Sequence, residues 1–257
     1  MQILCDRELR EMDHIIDIKH LNKSFYIFQK DYQILPWLVT KKGCQKEKQV
    51  LKDISFSVGK GEVVGLIGVN GAGKSTLMKL VAGITYPTSG EVTVNGKVGS
   101  LINLTAGFHP DYSGRKNIYY KGIMMGMSRA EIDEVIGEIE EFVELGEYFE
   151  RPLRMYSAGM AARLGFALAI FSNPEILIVD EVLAVGDKMF QQKSREKILE
   201  MFGQGKAVLF SSHSDHLIEE FCSRVIYLKD GRIAFDGDVK EGLKMYNEDV
   251  KAQKRKL

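Results

Sequence analysis

A glycine-rich stretch, GVNGAGKS at residues 68–75, constrains the fold of this chain more than any other feature. It matches the pattern G-x-x-x-x-G-K-[ST] and lies between an apolar run, residues 63–67, and a helical stretch from Lys74 to Ala82. A continuous apolar run is typical of a strand buried on both faces of a sheet. The pattern therefore predicts a strand, a loop that wraps a phosphate, and a helix, in that order.

The chemistry of this loop predicts that it binds a nucleoside triphosphate. Glycines let the backbone approach a phosphate with its N–H groups pointing inward, and the helix N-terminus adds a partial positive charge. We expect Lys74 to reach the β- and γ-phosphates and the Ser75 hydroxyl to bind Mg²⁺. The alternative is a glycine turn with an incidental lysine. The predicted nucleotide-binding residues of the loop are Gly68, Val69, Asn70, Gly71, Ala72, Gly73, Lys74, Ser75 and Thr76.

Two adjacent carboxylates, Asp180 and Glu181, end a second apolar run that begins at Ile176. Acids at the end of a buried strand are costly unless they meet cations or water. We expect Asp180 to join the Mg²⁺ shell, directly or through water. Glu181, the next residue, points to the opposite face of the strand and is expected to be the general base for an attacking water. A solvated strand end is the alternative interpretation.

A histidine, His213, follows a third apolar run, residues 207–210, after two serines. A lone histidine is usually structural or exposed. This one is expected at the carboxyl edge of the sheet, where ligands of α/β proteins bind. There it could contact the γ-phosphate and orient the attacking water, an assignment that the resemblance of the motifs to a known family supports more than the spacing does.

The overall composition excludes several classes of protein. The 257 residues are 45% hydrophobic and 27% charged, as in a folded soluble protein. Lys plus Arg equals Asp plus Glu at 35 each, so no net charge favours nucleic acid. Three widely spaced cysteines, Cys5, Cys44 and Cys222, argue against a disulfide framework and against a zinc site, and favour a reducing cytoplasm. No stretch approaches the roughly 20 apolar residues that span a bilayer.

The order of the elements predicts an α/β protein. Alternating residues 16–21 and 50–58 indicate half-buried strands, and residues 115–150 read as helical, with a capping box at Ser128 and Glu131. A hairpin is expected around Asp230 and Gly231. Strands that alternate with helices imply a largely parallel core, with a mainly helical insert near residues 105–170.

Five motifs in a fixed order resemble those of the ATPase subunit of an ABC transporter: GVNGAGKST, YSAGM, ILIVDE, AVGD and SSHS. The more specific resemblance is to the ATP-binding subunits of bacterial polysaccharide exporters, which handle O-antigen, capsule and teichoic acid. Three segments carry it: LTAGFHPDYSGRKNIYY, RPLRMYSAGM and DEVLAVGDKMFQQK. The resemblance implies the ABC ATPase fold of the P-loop NTPases. Such a fold has a mainly parallel core sheet, an antiparallel β subdomain and a helical insert.

The resemblance also implies boundaries and further site residues. It predicts a single ABC ATPase domain over 1–257, with a core of about 1–104 and 172–240, a helical subdomain of about 105–171, and a C-terminal helix with a basic tail of about 239–257. It assigns further nucleotide contacts to the signature loop and to the joint between two sites; these are Ser157, Ala158, Gly159, Met160 and Asp187.

For two of the expected site residues, the neighbouring residue in the sequence is an alternative. Asn103 is the expected counterpart of a metal-binding glutamine, with Leu104 the alternative. Phe25 is expected to stack on the adenine, with Tyr26 its neighbour as the alternative and an ordinary core or edge aromatic as the other interpretation. Many relatives have Ser-Gly-Gly-Gln where this chain has Ser-Ala-Gly-Met, so the signature loop keeps its hydroxyl and its second glycine.

The implied partners follow from the resemblance. We expect ATP and Mg²⁺ as ligands, a homodimer of ATPase subunits, and a separate multi-helix permease that contacts the glycan. The subunit would lie peripherally on the cytoplasmic face of a bacterial membrane and bind no nucleic acid. The insertion segment ILPWLVTKK is interpreted either as a membrane-interface contact or as a lid on the nucleotide site. The alternatives are the ATPase of another ABC transporter, such as an importer or a drug or lipid exporter, and a soluble ABC protein.

Overall fold

Strands alternate with helices through most of the described chain. The computed structural model describes residues 14–27, 46–180, 186–212 and 214–254. Its strands are β1 His14–Ile27, β2 Lys46–Gly59, β3 Val63–Ile67, β4 Ser89–Val94, β5 Val98–Ser100, β6 Ile176–Asp180, β7 Ala207–Ser211, β8 Arg224–Lys229 and β9 Arg232–Gly237. Its helices are α1 Lys74–Val81, α2 Gly114–Met124, α3 Arg129–Val143, α4 Ala158–Phe171, α5 Lys188–Phe202, α6 Asp215–Phe221 and α7 Val239–Lys254, with two short 3₁₀ helices at Gly146–Glu150 and Leu153–Met155.

The chain divides into two compact units. The first comprises the described parts of Met1–Val58, Gly65–Val94 and Ser223–Leu257, and the second comprises Gly59–Val64 and Asn95–Cys222. The predicted boundaries of a core and a helical subdomain stay predictions.

A three-stranded sheet in the order β2-β1-β4 forms one part of the first unit. Strands β1 and β4 are antiparallel, with Ile16 opposite Val94 and Ile18 opposite Val92. Both isoleucines are buried, while Lys19 is exposed, because alternate residues of a strand point to opposite faces. The alternation in the sequence therefore predicted β1 correctly.

The first unit also contains the end of β3, the helix α1 and the chain's last elements. The end of β3 lies beside β8, which forms an antiparallel hairpin with β9. Asp230 and Gly231 turn this hairpin with φ of 51° and 79°, a left-handed conformation suited to a tight turn. The expected hairpin is thus confirmed.

Parallel strands form the sheet of the second unit. The order is β5-β6-β7, followed by the beginning of β3. Ile176 lies opposite Val98 on one side and Ala207 on the other, and Asp180 lies opposite Ser211. All residues of β7 and the first four of β6 are buried, as their apolar runs predict. The carboxyl ends of β6 and β7 consequently lie side by side.

Helices of the second unit pack through aromatic rings. Phe142 of α3, Phe166 of α4 and Phe190 of α5 lie in one cluster, with ring centroids 5.4 to 6.1 Å apart. Helix α3 begins at Ser128, whose side chain accepts from the backbone N–H of Glu131 while the glutamate accepts from the N–H of Ser128. The predicted capping box is therefore present.

Some sequence predictions fall on residues outside the described ranges. These include Glu181, His213, Cys5, Cys44 and most of the insertion before Val50. Within the described ranges, no helix combines the length and apolar character that crossing a bilayer requires.

Candidate functional site

The glycine loop after β3 adopts a backbone that only glycine accommodates at two positions. Gly68 has φ of 153°, and a Cβ there would overlap the carbonyl oxygen of Leu228. Gly73 has φ of 109°, and its Cβ would lie 2.7 Å from a methyl carbon of Leu51. The close packing on β8 and β2 therefore fixes the path of the loop.

The loop leads directly into helix α1. Gly73 is the N-cap, and no side chain of the described residues caps the first turn. The buried Lys74 turns back, so that its Nζ donates to the carbonyl oxygens of Gly68 at 2.5 Å and Val69 at 3.4 Å. Ser75 is exposed at the start of the helix. The N-terminus of α1, with a lysine and a hydroxyl in its first turn, forms a cradle suited to phosphate.

Phe25 lies on β1 in the same unit as the loop. Its side chain is 45% exposed, so it is one of the large hydrophobic side chains that the described chain leaves partly open to solvent. The ammonium of Lys23 lies 5.0 Å from the ring centroid and donates to the carbonyl oxygen of Tyr86 at 2.7 Å. Tyr26, the alternative, is half-buried. The sequence reasoning did not single out Lys23.

Asp180 ends β6 and is half-buried, at the edge formed by the carboxyl ends of β6 and β7. Glu181 follows it directly in the sequence, and His213 comes two residues after Ser211. Since neither Glu181 nor His213 is among the described residues, their predicted roles stay predictions.

The loop after β5 carries the open alternative of Asn103 and Leu104. Asn103 is exposed with φ of 53°, and its carbonyl oxygen accepts from the N–H of Ala106 at 2.9 Å. Leu104 is buried. Only the asparagine presents a polar side chain to solvent.

The signature residues form the start of helix α4. Ser157 is the N-cap and accepts from the N–H of Met160 at 3.2 Å. Ala158 is exposed. A Cβ added at Gly159 would meet only the Ser157 hydroxyl, at 3.8 Å, among the described residues. The packing of the described chain therefore gives no reason for a glycine at position 159.

Asp187 caps helix α5 and binds an arginine that the sequence reasoning missed. One carboxylate oxygen accepts from the N–H of Phe190 at 3.0 Å, and the other accepts from Arg163 of α4 at 2.6 Å. The hydrogen bond from Phe190 first, and the charge of Arg163 with it, lower the pKa of Asp187. A lone cation in the apolar helix Ala158–Phe171 is the signal that would have revealed Arg163.

A cleft of about 550 Å³ brings several predicted residues together. Ser157, Gly159, Met160, Arg163 and Asp187 are among the residues that line it. Within the described ranges, no cluster of three or more His, Cys, Asp and Glu side chains forms a metal site.

The fold and the phosphate loop together define a P-loop protein that binds nucleoside triphosphates. Residues 51–184 match the family described as ABC transporter. The O-antigen export system ATP-binding protein RfbB of Klebsiella pneumoniae is 40% identical over 243 residues, which cover 92% of this chain and 99% of that protein. The chain therefore belongs to the ABC transporter family, whose ATPases bind ATP.

Other relatives are longer than this chain. The teichoic acids export ATP-binding protein TagH of Bacillus anthracis is 38% identical, and the match covers 93% of the chain but 44% of TagH. The RfbB protein of Myxococcus xanthus is 42% identical, with 93% of the chain and 56% of that protein covered. The chain thus spans about half the length of these two relatives.

Solved structures confirm the predicted fold. A dimeric ATP-binding cassette in a post-hydrolysis state, bound to ADP and phosphate, has a TM-score of 0.67 at 22% identity and covers 87% of this chain and 98% of its own. An ATP-binding subunit of an ABC transporter has a TM-score of 0.69 at 22% identity, with 91% and 93% covered. The predicted family is confirmed by the relatives, and the predicted ABC ATPase fold by these structures.

Proposed function

We propose that this chain is the ATP-hydrolysing subunit of an ABC exporter that moves a lipid-linked polysaccharide or a teichoic-acid-type glycan across the cytoplasmic membrane. The observation that carries the ATPase part is the phosphate loop, residues 68–75, which leads directly into helix α1. The glycan part is supported by relatives that are named as O-antigen and teichoic acid export proteins and that align along more than nine-tenths of the chain.

Phosphate binding falls to the loop and the first turn of α1. The backbone N–H groups of residues 68–76 would surround the β- and γ-phosphates, and the α1 N-terminus adds a partial positive charge. The Lys74 ammonium already lies against the Gly68 carbonyl, within the loop. It would therefore exchange a backbone acceptor for a phosphate oxygen with little movement of the chain. Phe25, whose side chain is 45% exposed, would stack on the adenine.

Hard oxygen donors are present for Mg²⁺. The Ser75 hydroxyl is exposed at the start of α1, and the Asp180 carboxylate ends β6. Asn103 adds an exposed amide oxygen, which favours it over the buried Leu104 as the third ligand. These oxygen donors fit the preference of Mg²⁺. The bound ion would neutralise charge on the phosphates.

Hydrolysis is assigned to Glu181 and His213. Glu181 would accept the proton of the attacking water, and His213 would orient that water against the γ-phosphate. Both follow the carboxyl ends of paired strands, after Asp180 and Ser211 in the sequence, and that edge is where ligands of open α/β sheets bind.

Two copies of the chain would complete each site. The signature residues 157–160 of one copy would contact the phosphates bound by the other, and Asp187 would lie at the joint between the two sites. The chain's own packing requires no glycine at Gly159, so close approach by a second molecule supplies a reason for it. ABC ATPases of export systems work as dimers with a separate membrane permease, which supports this assembly.

The ATPase assignment is tested by the variant Glu181→Gln. Without the general base, the variant is expected to bind ATP and Mg²⁺ without turnover and to accumulate as a dimer, measured by light scattering after size exclusion. Glu219→Gln, an exposed carboxylate on α6, is the matched control and stays monomeric after the ATP is consumed. A Glu181→Gln variant that remains monomeric in saturating ATP contradicts the two-chain mechanism.

The exporter assignment requires a membrane partner. We expect the chain to lie peripherally on the cytoplasmic face and to co-purify with a multi-helix permease, while the permease contacts the glycan. Reconstituting the pair in vesicles with a lipid-linked glycan should raise ATP turnover. Stimulation by an imported solute and not by the glycan would contradict export.

A further inference from the structure

The loop that follows β5 is attached to three different elements. At its start, the N–H of Leu101 donates to the carbonyl oxygen of Ile178 on β6, at 2.9 Å. At Leu104, the carbonyl oxygen accepts from the Lys121 ammonium of α2, at 2.7 Å. The same carbonyl lies against Gly165 of α4, so closely that a Cβ at position 165 would overlap it. One peptide group therefore touches both α2 and α4.

These contacts join the parts of the second unit that carry predicted site residues. Strand β6 ends at Asp180, α4 begins at Ser157, and the loop itself carries Asn103 next to Leu104. A displacement of the Leu104 carbonyl would therefore move α4 and, with it, the signature residues at its N-terminus. The contact with Gly165 is steric, and steric contacts transmit displacement because protein interiors are close-packed.

Burial of the charged Lys121 side chain opposes folding, so stability alone does not explain a lysine at this position. Its side chain is largely shielded from water, and burial lowers its pKa to about 8. Its ammonium also lies 4.6 Å from the ring centroid of Phe108, on the same loop. Desolvation of a charged group opposes folding, and an apolar side chain would avoid that cost. The charged side chain does make two contacts with the loop, one to the carbonyl oxygen of Leu104 and one to the ring of Phe108.

We propose that Lys121 is a positioning residue of the ATPase cycle, because it holds the loop of residues 101–108 against α4 and so makes Asn103 and the signature residues move together. This assignment rests on the proposed function. Its consequence is specific: removing the ammonium should loosen the coupling between the two parts while leaving the phosphate loop, residues 68–75, unaltered.

The test compares Lys121→Met with Lys116→Met in the full chain. Lys116 lies on the same helix with an exposed side chain that stacks on Tyr112, so it controls for loss of a lysine from α2. We expect Lys121→Met to lower kcat about tenfold, because a small misplacement of groups away from the reacting atoms already slows turnover. The affinity of the chain for a non-hydrolysable ATP analogue should change less than about twofold, since ground-state binding falls to the phosphate loop. Lys116→Met should change neither.

Hydrogen exchange supplies a second readout. Lys121→Met should speed exchange of the amides of residues 104–108 and of the first turn of α4, and Lys116→Met should not. Equal kcat and equal exchange in the two variants would overturn the assignment. If Lys121→Met does not fold, Lys121→Gln is measured in the same way, because its shorter polar side chain falls short of the Leu104 carbonyl.

Activity of the wild-type chain distinguishes a failure of the proposed function from a failure of the role of Lys121. A wild-type chain that neither binds nor hydrolyses ATP overturns both the function and the role of Lys121. A wild-type chain that hydrolyses ATP, beside a Lys121→Met variant with unchanged turnover and exchange, overturns the positioning role alone.

Discussion

Arg163 of α4 and Asp187, the N-cap of α5, form an ion pair in the cleft that the signature residues line: the guanidinium of Arg163 donates to the carboxylate of Asp187 at 2.6 Å. The arginine side chain is 17% exposed and its guanidinium lies 4.9 Å from the ring centroid of Phe190. Asp187 uses its other oxygen to cap α5. One ion pair therefore joins α4 to the start of α5, beside the packing of Phe166 against Phe190.

This ion pair gives the first prediction. Asp187→Asn keeps a good helix cap but loses the charge, and Arg163→Met loses the donor. Each variant should lower ATP turnover between about tenfold and a hundredfold through misplacement of the signature residues. The double variant should be little worse than either, because both single changes break the same contact. Arg195→Met, an exposed arginine on α5, is the control. Additive losses in a steady-state ATPase assay would show that the two residues act separately.

A second prediction concerns Lys74 in the phosphate loop. Lys74→Ala removes the ammonium that lies against the Gly68 carbonyl, and with it a charged donor to the phosphates. Turnover should fall by roughly a hundredfold to a thousandfold, the usual cost of one such donor. Lys79→Ala, in the last turn of the same helix, should keep more than half of the wild-type turnover. A Lys74→Ala variant with near-normal turnover would exclude this loop as the phosphate site.

Two glycines of helix α4 provide a matched pair for the third prediction. Gly159→Ala introduces no overlap within the described chain, so the free energy of unfolding should stay within about 1 kcal/mol. Gly165→Ala places a methyl group on the Leu104 carbonyl and should cost about 1–3 kcal/mol. Only Gly159→Ala should abolish ATP-dependent pairing without loss of stability. Chemical denaturation and light scattering separate the two effects, and normal pairing by Gly159→Ala would contradict the proposed contact between copies.

The sequence was most informative where the signal is local. The strand and helix on either side of residues 68–73, the capping box at Ser128 and the hairpin at Asp230 depend on neighbours within about ten residues, and each is present as predicted. Strand β5 was not predicted, because three residues, Val98–Ser100, are too short to show a period. Pairing with β6 defines it.

The sequence did not predict contacts between residues that lie far apart along the chain. Arg163 and Asp187 are 24 residues apart, and Lys121 lies 17 residues from Leu104. Nothing in a single sequence pairs such positions, since the pairing depends on how α2, α4 and the loops pack. The type of site was therefore predictable from motifs, whereas the residues that hold its parts together required the structure.

The fourth prediction uses the pKa of Lys121. Burial lowers it from 10.5 to about 8, so the folded chain binds fewer protons than the unfolded chain between these two values. The contribution of Lys121 to the free energy of unfolding should therefore rise as the pH increases from about 8 to 10.5. Denaturation of wild type and Lys121→Met at pH 7.5 and pH 9.5 measures this, with both pH values chosen to bracket a pKa of about 8. Equal shifts in the two proteins would show that Lys121 is not buried as a charge.

The last prediction concerns the attachment of helix α7. Asp249 on this helix accepts from the Lys229 ammonium at 2.6 Å and from the Tyr227 hydroxyl at 2.9 Å, both on β8. The hydrogen bond from Lys229 first, and that from Tyr227 with it, lower the pKa of the Asp249 carboxyl. Its contribution to stability is therefore present above the ordinary carboxyl pKa of 3.8 and is lost as the pH falls through the lowered value.

Asp249→Ala should consequently speed hydrogen exchange of α7 amides at neutral pH, while β8 keeps its protection because its strand partners are unaffected. Glu248→Gln, an exposed neighbour on the same helix, should leave exchange of both elements unchanged. The difference between Asp249→Ala and wild type should shrink in acid, once the wild-type carboxyl is protonated and the bond to Lys229 loses its charge. Equal protection of α7 in Asp249→Ala and Glu248→Gln at neutral pH would show that the helix is held by its apolar contacts alone, such as the buried Leu243.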